Sequence, residues 1–127
     1  MQQALWRTSK VILVWGTFIL AANFEVRGDA RIRQGMSDGN WGYIKAEGWK
    51  SIGCGVFLLC LYGLVVNAGF ALKLIDWGFS KQLGVYVFLF AIVSTYIGHT
   101  SFNETVSVTH LIGLAFIIAG GLIIQAS

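Results

Sequence analysis

An uncharged apolar run, Val11 to Phe24, ends abruptly at Glu25. The run is too short to cross a bilayer by itself, because a spanning helix needs about 20 residues. The helix must therefore stop short of crossing, or it must carry Glu25 into the membrane. We favour the second interpretation, because the sequence just beyond Glu25 reads as continuing helix. We predict a first helix over about residues 8-34, with Glu25 inside the membrane.

Composition extends this interpretation to the whole chain. Of its 127 residues, 56% are hydrophobic and 12% are charged, and the mean hydropathy is +0.70. A soluble domain of this length would need more polar surface to cover its core. The length leaves no room for a second domain, so we predict a single transmembrane domain over residues 1-127. Proline is absent, which suits unbroken helices.

Three further apolar runs follow the first. We expect helices over about residues 51-72, 82-97 and 104-125, after an interfacial loop over residues 35-50 that is rich in glycine and aromatic residues. The last helix is expected to open with the acceptors Glu104, Thr105 and Ser107. The predicted fold class is an all-α integral membrane protein with four transmembrane helices in a compact bundle.

Basic residues are divided almost evenly between the two ends of the predicted bundle. Arg7, Lys10, Lys73 and Lys81 fall at one end, and Arg27, Arg31, Arg33, Lys45 and Lys50 fall at the other. An excess of loop cations on one side sets the orientation of a membrane protein. This near balance leaves two interpretations open, a single weakly preferred orientation or insertion in both. The cations flank apolar runs, so we expect no nucleic-acid partner.

Glu25 is the leading candidate for a functional residue. An ionisable side chain within a membrane helix is costly, and it usually faces a cavity or a partner. A carboxylate placed there can hold a proton or a cation, but not both comfortably, which is the physical basis of proton-coupled antiport. The alternative is that Glu25 lies at the border of the helix and pairs with Arg27, Arg33 or water.

Other residues could share a chamber with Glu25. Asp29 lies four residues further on the same helix face. It is also four residues before Arg33, and we favour a salt bridge between these two over a role for Asp29 in the chamber. Aromatic faces attract cations, although ordinary helix packing would equally explain aromatic residues in such helices. The candidate aromatic residues are Trp15, Tyr62 and Tyr86.

The fourth predicted helix carries Gly113 and Gly120 seven residues apart on one face, with Phe116 and Ile117 beside them. Small residues allow helix backbones to approach closely. This face could be a seam for self-association, or it could pack within one copy of the chain.

Patterns typical of enzymes are absent from the sequence. It contains no glycine-rich phosphate loop, no Cys/His metal spacing and no nucleophile–base motif. Cys54 and Cys60 are six residues apart and point in different directions on a helix, so we interpret them as packing residues. We therefore predict that the chain is not an enzyme and has no metal site and no cofactor.

Five stretches in order carry a family resemblance, namely Phe24-Glu25-Val26-x-Gly28, residues 80-86, Phe102-Asn103-Glu104, residues 111-113 and residues 117-124. From about residue 21 to residue 125, the chain resembles the small multidrug resistance transporters and the related YnfA-like membrane proteins. Both groups belong to the drug/metabolite transporter superfamily. The resemblance rests on the order and spacing of the motifs together.

The resemblance implies a proton-coupled antiporter of the cell (inner) membrane that exports small organic cations. It implies an antiparallel, dual-topology homodimer within the lipid bilayer, in which two copies of Glu25 face one chamber. The implied dimer seam consists of Gly113, Phe116, Ile117 and Gly120. Two alternatives stay open, a non-transporting accessory subunit of a larger membrane complex and a component of a lipid-carrier flippase.

Overall fold

A computed structural model describes residues 2–37 and 44–127, with side chains from residue 9 onward. Its elements are the helices α1 (Gln2–Ser37), α2 (Ala46–Ala71), α3 (Phe79–Phe102) and α4 (Val108–Ala126). Each of the four contains a segment long and apolar enough to cross a membrane. The chain therefore has the architecture of a multi-pass membrane protein, and the expectation of an all-helical fold with four candidate spans is confirmed.

Both ends of the predicted loop over residues 35-50 are helical. α1 continues to Ser37, and α2 begins at Ala46, while residues 38–43 lie outside the described part of the chain. The prediction was wrong at both ends because glycines in this stretch were interpreted as turn formers. In the structure, two of them lie inside helices, where the missing Cβ permits close contact with a neighbouring helix.

The connection between α3 and α4 also differs from the prediction. α3 runs beyond residue 97 and is closed by Asn103, which adopts the left-handed backbone conformation with φ 52°. α4 begins only after Ser107, whose hydroxyl accepts the backbone N–H of His110. Ser107 is thus the helix cap. The expectation that Glu104 and Thr105 open the last helix was wrong, and both lie in the connection.

α1 is the central helix of the fold. It packs against α2 and against α3, and α4 packs against α3. Most of the buried core lies between α1 and α3, where Phe18 and Val85 are fully buried. A buried hydrogen bond from the Gln82 side chain to the Val66 carbonyl, 2.9 Å long, ties α3 to α2. The three helices α1 to α3 therefore form the body that surrounds the candidate site.

Two pairs of glycines bring α1 and α2 together, and we call them the glycine seam: Gly28 with Gly55, and Gly35 with Gly48. A Cβ atom added to Gly55 would lie 2.5 Å from the Gly28 carbonyl oxygen, and one added to Gly35 would lie 2.5 Å from the Gly48 carbonyl oxygen. Since backbone atoms cannot move aside cheaply, only glycine fits here. Gly28, part of the motif around Glu25, thus has a packing role.

α4 is the most exposed of the four helices. Gly121 packs against the Phe88 ring of α3, and Ile124 packs against Gly84. The rest of the helix surface is apolar and open, as at Phe116, which is 75% exposed. Such a surface is suited to lipid or to another membrane helix.

Candidate functional site

Glu25 lies where α1 faces α3. Its carboxylate accepts a hydrogen bond from the Tyr86 hydroxyl of α3. The Tyr86 side chain is only 3% exposed, and the Tyr62 ring of α2 stacks on it with centroids 5.7 Å apart. Each of the three helices therefore contributes one side chain to a single group, Glu25, Tyr62 and Tyr86, which we call the Glu25 cluster.

The position of the Tyr86 hydroxyl is fixed by the packing of its ring. Phe18 of α1 meets the ring edge-on, with centroids 6.1 Å apart and planes at 80°. Phe90, one turn further along α3, lies 6.4 Å away between centroids. A ring held between neighbours on two helices keeps its hydroxyl aimed at the carboxylate. The donor to Glu25 is therefore preorganised by apolar packing.

Trp15 lies apart from the Glu25 cluster. It precedes Glu25 by ten residues, which is about 15 Å along a helix. Its ring packs against Phe88 with centroids 5.8 Å apart. It also lines a smaller cavity of about 180 Å³ together with Asp76 and Trp77. The structure therefore does not bring Trp15 together with the other predicted chamber residues.

Asp29 lies one turn beyond Glu25, on the side away from Trp15, and lines a larger cavity of about 400 Å³ between α1, α3 and the start of α4. Its inner wall includes Phe90, the ring that packs against Tyr86. The cavity thus adjoins the Glu25 cluster. Its polar lining residues are Asp29, Arg33, Ser94, Thr95, Glu104 and His110.

Arg33 and Glu104 form an ion pair at this cavity, with Nη1 and Oε1 3.1 Å apart. The Arg33 guanidinium also lies 5.0 Å from the centroid of the Phe102 ring. The interpretation in which Asp29 pairs with Arg33 is therefore wrong, because Arg33 reaches across to the α3–α4 connection. Nor does Glu25 form an ion pair with Arg27 or Arg33 in the described structure.

Sequence reasoning missed several polar residues of the cavity. Ser94 and Thr95 lie within an apolar helix, and both donate to the Ala91 carbonyl of that helix. Nothing in the sequence around them indicates that they line a cavity. Glu104 was interpreted as a helix-opening residue. Its partner Arg33 is 71 positions away in the sequence, so no local pattern connects the two residues. Only the fold brings such distant positions together.

The residues of the predicted dimer seam lie on the open side of α4. A Cβ atom added to Gly113 or Gly120 would meet nothing within 4 Å, and Phe116 and Ile117 are exposed. The glycine that packs inside one copy is instead their neighbour Gly121. Gly113 and Gly120 therefore make no such close contact within the single chain.

No protein-family model matches this chain, and neither a curated protein nor a solved structure matches it. Among the residues that the structure describes, no three His, Cys, Asp or Glu side chains converge to hold a metal ion. The acidic side chains at the site are Glu25 in the cluster and Asp29 and Glu104 in the cavity.

Proposed function

We propose that the protein is a small secondary transporter of the cell membrane that exchanges protons for an organic cation, with Glu25 as the coupling residue. The observation that carries this proposal is the hydrogen bond that Glu25 accepts from Tyr86 in the middle of a candidate span. A carboxylate that is paired with a basic side chain already has its charge balanced by that side chain. A carboxylate with a neutral hydroxyl partner keeps its capacity to take up a proton or a cation.

The surroundings of Glu25 favour an organic cation over a bare metal ion. The stacked rings of Tyr62 and Tyr86 offer aromatic faces beside the carboxylate, and such faces attract organic cations. Asp29 adds a second negative charge one helical turn away. Carboxylate and ring together provide charge attraction and apolar contact, which is what a cation with an organic body requires.

The family resemblance supports a homodimer, which we propose forms through α4. The Gly113 and Gly120 face is open in the single chain, and small residues at such a face allow close helix contact. The near-equal distribution of cations at the two ends of the bundle supports copies that insert in opposite orientations. Two Glu25 clusters would then serve one transport pathway.

The test is exchange in liposomes that contain purified protein and an outward proton gradient. We expect Glu25→Gln to abolish proton-coupled uptake of an organic cation, because the amide cannot exchange a proton. The matched control is Glu47→Gln, at the exposed first turn of α2, which should leave exchange unchanged. Undiminished coupled exchange in Glu25→Gln would overturn the proposal.

A second candidate function is an accessory subunit of a larger membrane complex. The observation that favours it is the exposed apolar surface of α4, which contacts α3 alone among the described helices. Crosslinking of purified protein separates the two functions. A homodimer favours the transporter, whereas a stable complex with a different membrane protein and no homodimer favours the accessory subunit.

A further inference from the structure

We propose that the larger cavity is the vestibule through which cations and protons reach Glu25, and that the Arg33–Glu104 ion pair is its removable closure. This inference rests on the proposed transport function and adds to it a route and a gate. Neither Asp29 nor the ion pair is needed for the coupling role of Glu25 itself. The vestibule can therefore be tested separately from transport.

The cavity adjoins the Glu25 cluster. Along α1, Arg33 lies eight residues beyond Glu25, which is about 12 Å. Along α3, the cavity reaches inward as far as Phe90, whose ring packs against Tyr86. Tyr86 in turn donates its hydroxyl hydrogen to Glu25. The cavity therefore extends from the Arg33–Glu104 ion pair to the Phe90 ring, which packs against the partner of the coupling carboxylate.

The size and lining of the cavity suit a small organic cation. A volume of about 400 Å³ falls within the usual range for small-molecule sites, roughly 300 to 1,000 Å³. Asp29 places a negative charge on the α1 wall. On the α3 wall, the Ser94 hydroxyl donates to the Ala91 carbonyl, which leaves its oxygen able to accept a hydrogen bond from water or from a ligand. The neighbouring Thr95 hydroxyl also donates to Ala91, and its oxygen lies 3.1 Å from His110 Nε2.

Backbone hydrogen bonding fixes the position of Glu104. Its N–H donates to the Gly98 carbonyl oxygen at 3.2 Å, and its own carbonyl lies 3.0 Å from His99 Nδ1. Its side chain folds back over Gly98, where a Cβ atom would lie 2.7 Å from Oε2. A glycine at position 98 thus leaves room for the carboxylate that meets Arg33.

The closure formed by Arg33 and Glu104 can open. The Arg33 and Glu104 side chains are 68% and 51% exposed, and ion pairs that exposed contribute little to stability. The Arg33 guanidinium is itself an organic cation held by a carboxylate and by the Phe102 ring. An entering cation offers the same chemistry to Glu104 and Phe102, so it can displace Arg33 and open the vestibule.

The test measures how fast water-borne reagent reaches the vestibule wall. Cys54 and Cys60, both exposed, are first replaced by serine. A single cysteine is then introduced as Ser94→Cys, on the vestibule wall, or as Ile92→Cys, at the same depth on the exposed outer face of α3. The purified protein in mild detergent reacts with a membrane-impermeant trimethylammonium thiosulfonate, and the modification rate is followed by mass spectrometry.

We expect Ser94→Cys to react faster when the closure is removed by Glu104→Gln or by Arg33→Gln. An exposed ion pair of ordinary strength corresponds to an increase of about two- to fivefold. The charge-reversed pair Arg33→Glu with Glu104→Arg should bring the rate back toward the native value. The control Lys81→Gln, which removes a cation lying over the Trp77 ring, should leave the rate unchanged, as should all these changes for Ile92→Cys.

Two results would overturn the proposal: no reaction of Ser94→Cys in any background, or a rate that does not depend on the ion pair. Neither result bears on Glu25. If Glu25→Gln abolishes exchange while Ser94→Cys fails to respond, the vestibule is wrong and the transporter stands. If Ser94→Cys responds as expected while Glu25→Gln still exchanges normally, the coupling role of Glu25 is wrong and the gated cavity stands.

Discussion

The two sides of α1 meet their neighbours in opposite ways. Toward α2, glycine faces glycine at two levels, and the backbones are so close that no side chain fits between them. Toward α3, the same helix presents Glu25, Asp29 and Arg33 and leaves a cavity of about 400 Å³. Beyond the apolar core at Phe18 and Val85, one contact is therefore made of backbone and the other of polar side chains around open space.

This difference indicates which contact is fixed and which can change. Moving α2 away from α1 would give up close backbone contact along the whole glycine seam. Moving the end of α3 away from α1 would break an exposed ion pair and enlarge a space that already exists. We therefore expect α1 and α2 to behave as one rigid unit, against which the α3 end can shift.

The largest expected effect comes from the glycine seam. Gly55→Val should destabilise the protein by about 3 kcal/mol or more, because its Cβ would collide with the Gly28 carbonyl and the helices would have to separate. Thermal unfolding in detergent, followed by circular dichroism, measures the loss. Gly53→Val is the matched control on the same helix, since a Cβ there meets nothing within 4 Å. Equal losses for both variants would refute the seam.

A smaller effect is expected at the contact between α3 and α4. Gly121→Val should cost about 1–3 kcal/mol, because the new side chain overlaps the Phe88 ring, which can shift only in part. The neighbouring Gly120→Val should leave unfolding of the single chain unchanged. It should instead weaken the proposed homodimer, as measured by crosslinking yield. If Gly120→Val unfolds the chain and Gly121→Val does not, the assignment of these two faces is reversed.

A loss of similar or smaller size is expected at the Glu25 cluster. Tyr86→Phe removes the hydroxyl that donates to Glu25 and should cost about 1–2 kcal/mol, because the half-buried carboxylate then lacks this donor. Tyr96→Phe, on the same helix but 67% exposed, is the control and should be neutral. The measurement is again unfolding in detergent. A neutral Tyr86→Phe would show that the hydrogen bond is not needed to hold α3 against α1.

The smallest effect on stability should come from the ion pair at the cavity. Arg33→Gln should change the free energy of unfolding by about 0.5 kcal/mol or less, because both partners are exposed to solvent. The same variant should still accelerate labelling of Ser94→Cys. A large loss of stability would mean that Arg33 holds the bundle together and does not act as a closure.

The four spans were predictable because apolar length alone decides them, and Glu25 stood out because a charge interrupts an apolar run. The ends of the helices were not predictable in the same way. Gly35 and Gly48 look like turn residues until the facing backbone is known. The partner of Arg33 was equally unpredictable. Asp29 is near in sequence and at helical spacing, whereas Glu104 is distant in sequence and is brought close to Arg33 only by the fold.

With four candidate spans, the two ends of the described chain lie on one side of the membrane, and the opening of the cavity lies on the other. Gln2 and Ser127, at the two ends of the described chain, lie at the end of the bundle opposite to Arg33 and Glu104. A reporter fused to either terminus identifies the compartment at that end of the bundle. The cavity then opens toward the opposite compartment. If reporters are equally active on both sides of the membrane, the chain is inserted in both orientations. Chains of identical sequence then open their cavities toward different compartments.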